Sequence, residues 1–285
     1  MTNIAVTSAA SSQMTPVVRA LRATGHRVRA LHRPQGRVLA AWDEAAPADL
    51  LEPDSLVRAL DGVQAAVVGL PLEFEAGAAR RQAENLLLAV QKTGVGRVVL
   101  NTGTPLPPTA VGVPFLDTRR WLADELAASG AVTAVVHPAA TYLENLVAPW
   151  SLPLLREGVL EYPLPAEAPI PWVAGSDLAD VVVELVDAER PARLTVVAGP
   201  EDLQGLQLAR ALSAGMGREV EWQTISPARY EQLLRPHLGE RAAAGVAGAY
   251  AETGPPPALP EDAALVRGRT SATGWVRQAL AGSDG

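Results

Sequence analysis

The chain has 285 residues, of which 48% are hydrophobic and 19% charged, with a formal net charge of −7. That balance allows a sizeable core and argues against disorder, while acidic character with scattered arginines argues against a nucleic-acid surface. The absence of cysteine excludes disulfides, thiolate metal sites and cysteine nucleophiles.

Ile4-Ala5-Val6-Thr7 reads as a strand. Residues 14–24 place Val17, Val18 and Leu21 on one helical face, and Gly25 ends that helix. Val28 to His32 is a second strand, and Ala48-Asp49-Leu50 is a weak third. Pro53-Asp54-Ser55 opens a helix that closes near Asp61-Gly62. Ala65-Ala66-Val67-Val68-Gly69-Leu70 is a continuous apolar run, as a strand buried on both faces requires. A helix over residues 76–92 is closed by Gly94, and Arg97 to Thr102 forms the fifth strand. Residues 115–128 are helical, and Val132 to His137 forms the sixth strand.

After Pro138 the pattern loosens, with Pro149, Pro153, Pro163, Pro165, Pro169 and Pro171 interrupting it. A helix returns at 177–188, a strand at 194–198 and a helix at 203–215, and residues 253–262 form a Pro-rich loop. Strands alternating with helices imply right-handed crossovers. The expected fold is therefore α/β: a Rossmann-type, doubly wound parallel sheet over residues 1–140, with residues 141–285 forming a smaller C-terminal substrate lobe in a single compact unit. No apolar run is long enough to cross a membrane, and Met1-Thr2-Asn3 runs straight into a strand, so a cytoplasmic protein without signal peptide or membrane partner is expected. His26, His32, His137 and His237 do not cluster, so no metal is expected. Abundant Ala, Arg, Gly, Pro and Val with little Lys fits a GC-rich bacterial genome.

Five segments carry a resemblance: Val17-Val18-Arg19-Ala20-Leu21, His26-Arg27-Val28-Arg29-Ala30-Leu31, Gly94-Val95-Gly96-Arg97-Val98-Val99, His137-Pro138 with Tyr142-Leu143-Glu144-Asn145-Leu146, and Ser176-Asp177-Leu178-Ala179-Asp180-Val181. Gly199-Pro200-Glu201 and Ser213-Ala214-Gly215-Met216-Gly217-Arg218 also fit. In their order and spacing they resemble the NmrA-like family of atypical short-chain dehydrogenases. The resemblance implies a Rossmann fold, NADP(H), and either small-molecule reductases or dinucleotide-sensing regulators. It also implies no Tyr-x-x-x-Lys dyad, and none is present.

In that family the first strand-turn-helix reads Thr-Gly-x-x-Gly-x-x-Gly. Here it reads Thr7-Ser8-Ala9-Ala10-Ser11-Ser12-Gln13-Met14. The glycines normally allow a tight turn, close approach of pyrophosphate and close helix–strand packing. Ser8 costs about 1 kcal/mol if its φ is positive. Ser11 places a side chain where pyrophosphate would lie, and Met14 fills space between helix and sheet. The expectation is a lost cofactor, or NADP(H) held only weakly. If the site is retained, Thr7, Ser11, Ser12 and Arg33 are its residues, Arg33 standing past the second strand where a 2′-phosphate partner is expected. Arg37 is near it in sequence.

His137 ends the sixth strand, at the sheet edge where ligands of such folds bind, and can act as general acid or base or be a structural histidine. Tyr142 is paired with it as a second proton-transfer group. Pro71, Glu73, Phe74, Glu75, Asn101, Thr102, Thr104, Glu144, Asn145 and Trp172 are the candidate substrate residues. Hydroxyls at Thr102 and Thr104 can orient a carbonyl or merely cap backbone groups. Glu73 and Glu75 can be bases in an apolar crevice or members of a solvated loop. Arg119 falls where related reductases carry a lysine, yet the Arg119-Arg120 pair reads more readily as helix surface.

Three functions follow. The first is non-redox tailoring (cyclisation, isomerisation, dehydration or coupling) of a small, mostly apolar, aromatic or polyketide metabolite in bacterial specialised metabolism. The second is an NAD(P)H-dependent reductase with weakened cofactor binding. The third is a non-catalytic ligand or dinucleotide sensor acting on a partner. A homodimer is compatible with all three.

Overall fold

The β-branched runs of the first half assemble into one sheet, in a computed structural model that describes residues 1–36, 38–39, 42–251 and 263–281. Its strands are β1 (Asn3–Val6), β2 (Arg27–His32), β3 (Glu44–Pro47), β4 (Ala65–Val68), β5 (Arg97–Asn101), β6 (Val132–Pro138), β8 (Leu194–Ala198) and β10 (Ala263–Arg267). They lie in the order β10-β8-β6-β5-β4-β1-β2-β3. From β3 to β8 every pairing is parallel. The chain winds outward from β1 to β3 and then restarts at β4 on the other side, so the order reverses between β1 and β4. In such sheets the crevice for a ligand opens beyond the carboxyl ends at that reversal.

Between the strands run α1 (Met14–Ala23), α2 (Pro53–Leu60), α3 (Ala76–Thr93) and α4 (Pro114–Ala128). The stripe expected on α1 is the buried one: Val17, Val18 and Leu21 face inward with Met14. All of β4 is buried, as its continuous apolar run implied. Gly94 closes α3 in the left-handed conformation, with φ 66°. Leu56, Leu60, Leu86, Val98, Leu100, Leu122 and Leu126 fill the core on this side.

The third strand comes earlier than Ala48-Asp49-Leu50. It is β3, paired on one side only and half-exposed in alternation, so it carries no apolar run. Residues 48–50 instead lead into α2, where Leu51 N–H donates to the Asp49 carboxylate at 2.9 Å and Asp49 N–H donates to Ser55 Oγ at 2.9 Å.

The second half holds more structure than its prolines suggested: α5 (Leu152–Arg156), β7 (Val159–Tyr162), α6 (Gly175–Asp187), α7 (Gly205–Met216), β9 (Glu221–Thr224), α8 (Pro227–Leu238), α9 (Glu240–Gly248) and α10 (Ala272–Ala281). Pro153 and Pro227 stand in the first turn of α5 and α8 rather than breaking them, because N–H groups there have no partner within the helix. Strands β7 and β9 pair in parallel as a separate two-stranded sheet. The Pro-rich loop read at 253–262 lies outside the described residues, and so does Arg37.

The contacts divide the chain into two units. Among the described residues the first holds 1–138, 178–197 and 263–266, and the second holds 139–177, 198–251 and 267–281. The second has its own core, built on Leu143, Leu146, Tyr162, Trp172, Leu208 and Trp275. Among the described residues no helix is long and apolar enough to cross a membrane.

Candidate functional site

The turn between β1 and α1 stands at the reversal point of the sheet. Ser8 has φ 52°, and among the described residues it alone takes a positive φ without being glycine. The serine therefore holds the conformation a glycine would have supplied, at a cost of about 1 kcal/mol. Two neighbours secure it. Thr7 Oγ1 donates to Gly69 O at 2.8 Å and accepts from Gly69 N–H at 2.8 Å, and Ser8 Oγ donates to Gly69 O at 3.1 Å. These bonds tie the carboxyl end of β1 to that of β4. Ser8→Gly is expected to stay within about 1 kcal/mol of the parent, since relief of strain is offset by a freer unfolded chain and a lost hydrogen bond. Ser8→Val, with a β-branched side chain at the same φ, is expected to cost roughly 2 kcal/mol or more. Urea melts of both variants check this, and a tolerated valine would mean the turn is not held as described.

The other two replacements also find physical answers. The Ser11 hydroxyl does not project across the turn. It accepts from Met14 N–H at 3.2 Å, so it belongs to the start of α1. Met14 is buried between helix and sheet, as expected, and the room for it comes from Gly69. A Cβ on Gly69 would stand 3.3 Å from Met14 Sδ. The close packing lost at position 14 is thus recovered one strand away. No hydrogen bond among the described residues engages the N–H groups of Ser12 and Gln13. Arg33, just past β2, is exposed and forms no ion pair among the described residues. Open N–H groups at a helix start are what a phosphate requires, so the residues present fit a dinucleotide.

At the ends of β4 and β5 the expected substrate residues are mostly occupied with backbone. Asn101 Oδ1 accepts from Gly103 N–H at 2.9 Å, and Thr102 Oγ1 donates to Thr104 O at 2.6 Å. Of the two roles open to these groups, capping is the one seen. Glu75 caps α3 by accepting from the N–H groups of Gly77 and Ala78, and Glu73 accepts from Glu75 N–H at 2.9 Å. These carboxylates belong to an exposed loop. Phe74 packs on Phe115 with ring centres 4.9 Å apart, beside exposed Pro71.

Arg119 is not a surface arginine. It is only 4% exposed. Its guanidinium donates to Thr102 O at 2.9 Å, Phe115 O at 2.9 Å, Leu70 O at 2.6 Å and Pro71 O at 3.0 Å. Burial pushes its pKa down to about 10, so it stays a cation at neutral pH. The signal was present in the sequence: Phe115, Thr118, Arg119, Leu122 and Leu126 share the buried stripe of α4 at helical spacing. Charge alone had placed Arg119 on the other face. Gln13 was likewise missed, although its side chain reaches the loop after β5.

His137 is buried at the end of β6, in register with Val196. Its Nδ1 lies 2.8 Å from Pro138 O. A carbonyl can only accept, so Nδ1 carries the proton and Nε2 is left as an acceptor. Burial lowers the pKa below the ordinary histidine value of 6.5, against a smaller upward pull from that carbonyl. The ring is neutral at physiological pH.

The remaining residues belong to the second unit. Tyr142 is buried at the entrance to a 3-10 turn, Leu143–Val147. Glu144 Oε1 accepts from Gly175 N–H at 2.9 Å and from Trp275 Nε1–H at 3.2 Å, so this carboxyl caps α6. Burial holds its pKa above the usual carboxylate range. Asn145 Nδ2 donates to Thr141 Oγ1 at 2.9 Å. Trp172 meets Tyr162 edge-on with centres 5.0 Å apart and is 2% exposed. Glu144, Asn145 and Trp172, read as pocket-lining, serve the framework of this unit.

The sequence pattern of the NmrA-like family matches residues 1–254. An NAD(P)H azoreductase from Xenophilus azovorans is 29% identical over 198 residues, which are 67% of this chain and 65% of that protein. The chain thus matches just under two thirds of this relative's length. A Citrobacter sp. triphenylmethane reductase, solved in complex with NADP(H), superposes with a TM-score of 0.75 at 19% identity, covering 97% of this chain and 100% of that one. A Staphylococcus aureus nucleoside-diphosphate-sugar epimerase superposes with a TM-score of 0.76 at 19% identity, covering 96% and 99%. At these identities the structural likeness shows the fold. The expectation of no cofactor, or of NADP(H) only weakly held, is overturned: the azoreductase carries NAD(P)H in its name and the triphenylmethane reductase was solved with NADP(H). The physical reason lies in the turn, where Ser8 keeps the glycine conformation and Ser11 folds back onto α1.

Proposed function

Since the chain belongs to the NmrA-like family, we propose that it is an NAD(P)H-dependent reductase of a small, flat, mostly apolar molecule. The observation that carries this reading is the β1–α1 turn, with Ser8 at φ 52° and open N–H groups at the start of α1. The N–H groups of Ser12 and Gln13 hold the pyrophosphate, with the hydroxyls of Ser11 and Ser12 at its border. Thr7 fixes the turn to β4. Arg33 meets a 2′-phosphate. When bound, the nicotinamide supplies a hydride. His137 and Tyr142 are the proposed proton-transfer groups: the proton that balances the hydride would come from the Tyr142 hydroxyl, while Nε2 of neutral His137 can only accept a proton or a hydrogen bond.

The names of the relatives suggest conjugated electron acceptors such as azo dyes, quinones and triphenylmethane dyes. Non-redox tailoring of a specialised metabolite drew its support from the replaced glycines, and the geometry of the turn favours a reductase. A dinucleotide sensor would share the turn and differ in turnover. NADPH consumption should therefore be followed with a quinone, an azo dye and a triphenylmethane dye. Consumption with at least one is expected. Binding of NADPH without turnover of any of them would count against a reductase and for a sensor.

Arg33 gives a separate expectation. Arg33→Ala should weaken NADPH binding by about ten-fold while leaving NADH unchanged, the size of one exposed charge-assisted contact. Equal effects on both dinucleotides would remove Arg33 from the 2′-phosphate.

A further inference from the structure

Gln13 is the last residue before α1, and its side chain does not follow the helix. Its Nε2 donates to Gly103 O at 3.1 Å, in the loop after β5. Gly103 has φ 70°, and a Cβ there would collide with Gln13 Oε1. The loop after β5 thus uses a glycine where the amide of Gln13 comes to rest. Strands β1 and β5 are not neighbours, because β4 lies between them. Gln13 stands at the head of α1 beside Met14, whose sulfur packs against Gly69 just after β4, and its side chain runs from there to the loop after β5. Beneath it Met14 Sδ lies 3.6 Å from Asn101 Nδ2. Nothing in the packing of α1 calls for this reach, since Gln13 makes no cap of its own helix.

The direction of a bound dinucleotide follows from the strand order. Its adenosine half lies towards β2 and Arg33, its pyrophosphate at the start of α1, and its nicotinamide half towards β4 and β5. The last of these is the ground Gln13 covers. We propose that Gln13 is a latch over the nicotinamide half of the cofactor site, which the arriving nicotinamide must displace from Gly103. The latch rests on the NAD(P)H reading above. It makes the Gln13 side chain a competitor of the nicotinamide half for this ground and leaves the adenosine half untouched.

The test is calorimetric titration of the full chain, Gln13→Ala and Gln13→Leu, with NADPH and with 2′-phosphorylated ADP-ribose, a probe that ends before the nicotinamide. Both substitutions remove the donor to Gly103, and leucine keeps the bulk, so at least one should leave the turn folded by circular dichroism. The expected result is NADPH binding about five-fold tighter in the variants, the factor that one ordinary hydrogen bond converts to, with no change for the probe. Unchanged or weaker NADPH binding in the folded variants overturns the latch while leaving the cofactor reading intact. A shift of the probe equal to that of NADPH also overturns it. Absence of NADPH and probe binding in every form, parent included, overturns the cofactor reading and the latch with it.

Discussion

Arg119→Met is expected to lower the stability of the chain by roughly 3 kcal/mol or more, because it removes a buried guanidinium that makes two buried and two part-buried hydrogen bonds to carbonyls. The acceptors are Leu70, Pro71, Thr102 and Phe115, which come from the ends of β4 and β5 and the first turn of α4. Among the described residues Arg119 forms no ion pair; its guanidinium is held by carbonyl dipoles and lies 5.1 Å from the centre of the Phe115 ring. Methionine matches the apolar stem but supplies no N–H. Arg119→Lys should recover only part of the loss, since an ammonium cannot reach four carbonyls with the fixed fork of a guanidinium. Denaturant unfolding of both variants measures this. A methionine variant within about 1 kcal/mol of the parent would contradict the role assigned to Arg119.

His137→Ala and Tyr142→Phe are each expected to reduce turnover by about 100-fold to 10,000-fold, the usual loss when a general acid–base group is removed. The alanine leaves no acceptor at Nε2, and phenylalanine keeps the ring of Tyr142 without its proton. Circular dichroism establishes that the variants fold, and steady-state rates with the accepted dye or quinone give the loss. Near-full turnover in both would leave catalysis to orientation alone. His137 also predicts a pH effect on stability. Burial lowers its pKa in the folded state below 6.5, so the unfolded chain binds the proton more readily. Its contribution is intact above the ordinary value and lost as pH falls below it. Thermal melts should show a steeper decline of stability below that value in the parent than in His137→Gln.

Much of the fold was legible because its elements carry strong periods. The buried run of β4, the stripe of α1 and the glycine closing α3 each impose one local structure. β3 was misplaced because an edge strand with one partner needs no apolar run. β7 and β9 stayed hidden because each is four residues long and finds its partner some sixty residues away. Pro153 looked like a break, although in the first turn of a helix, where the N–H groups have no partner within the helix, a proline is tolerated.

The site was legible in part. The sequence placed Thr7, Arg33 and His137 at strand ends and Ser11 and Ser12 at the start of the first helix, where topology puts ligands. It could not show that Ser8 would accept a positive φ, or that Gly69 would make room for Met14. A replaced glycine removes a freedom only if nothing nearby compensates, and the compensation here comes from the end of β4, more than sixty residues away in the chain. Arg119 was misjudged because charge was weighed above its place on the buried stripe of α4.

The central claim is that the β1–α1 turn still receives a dinucleotide. Calorimetric titration of the unaltered chain with NADPH tests it most directly. One site per chain with a dissociation constant in the micromolar range or tighter is the predicted result. No detectable heat at millimolar NADPH, from a chain shown to be folded, would contradict it.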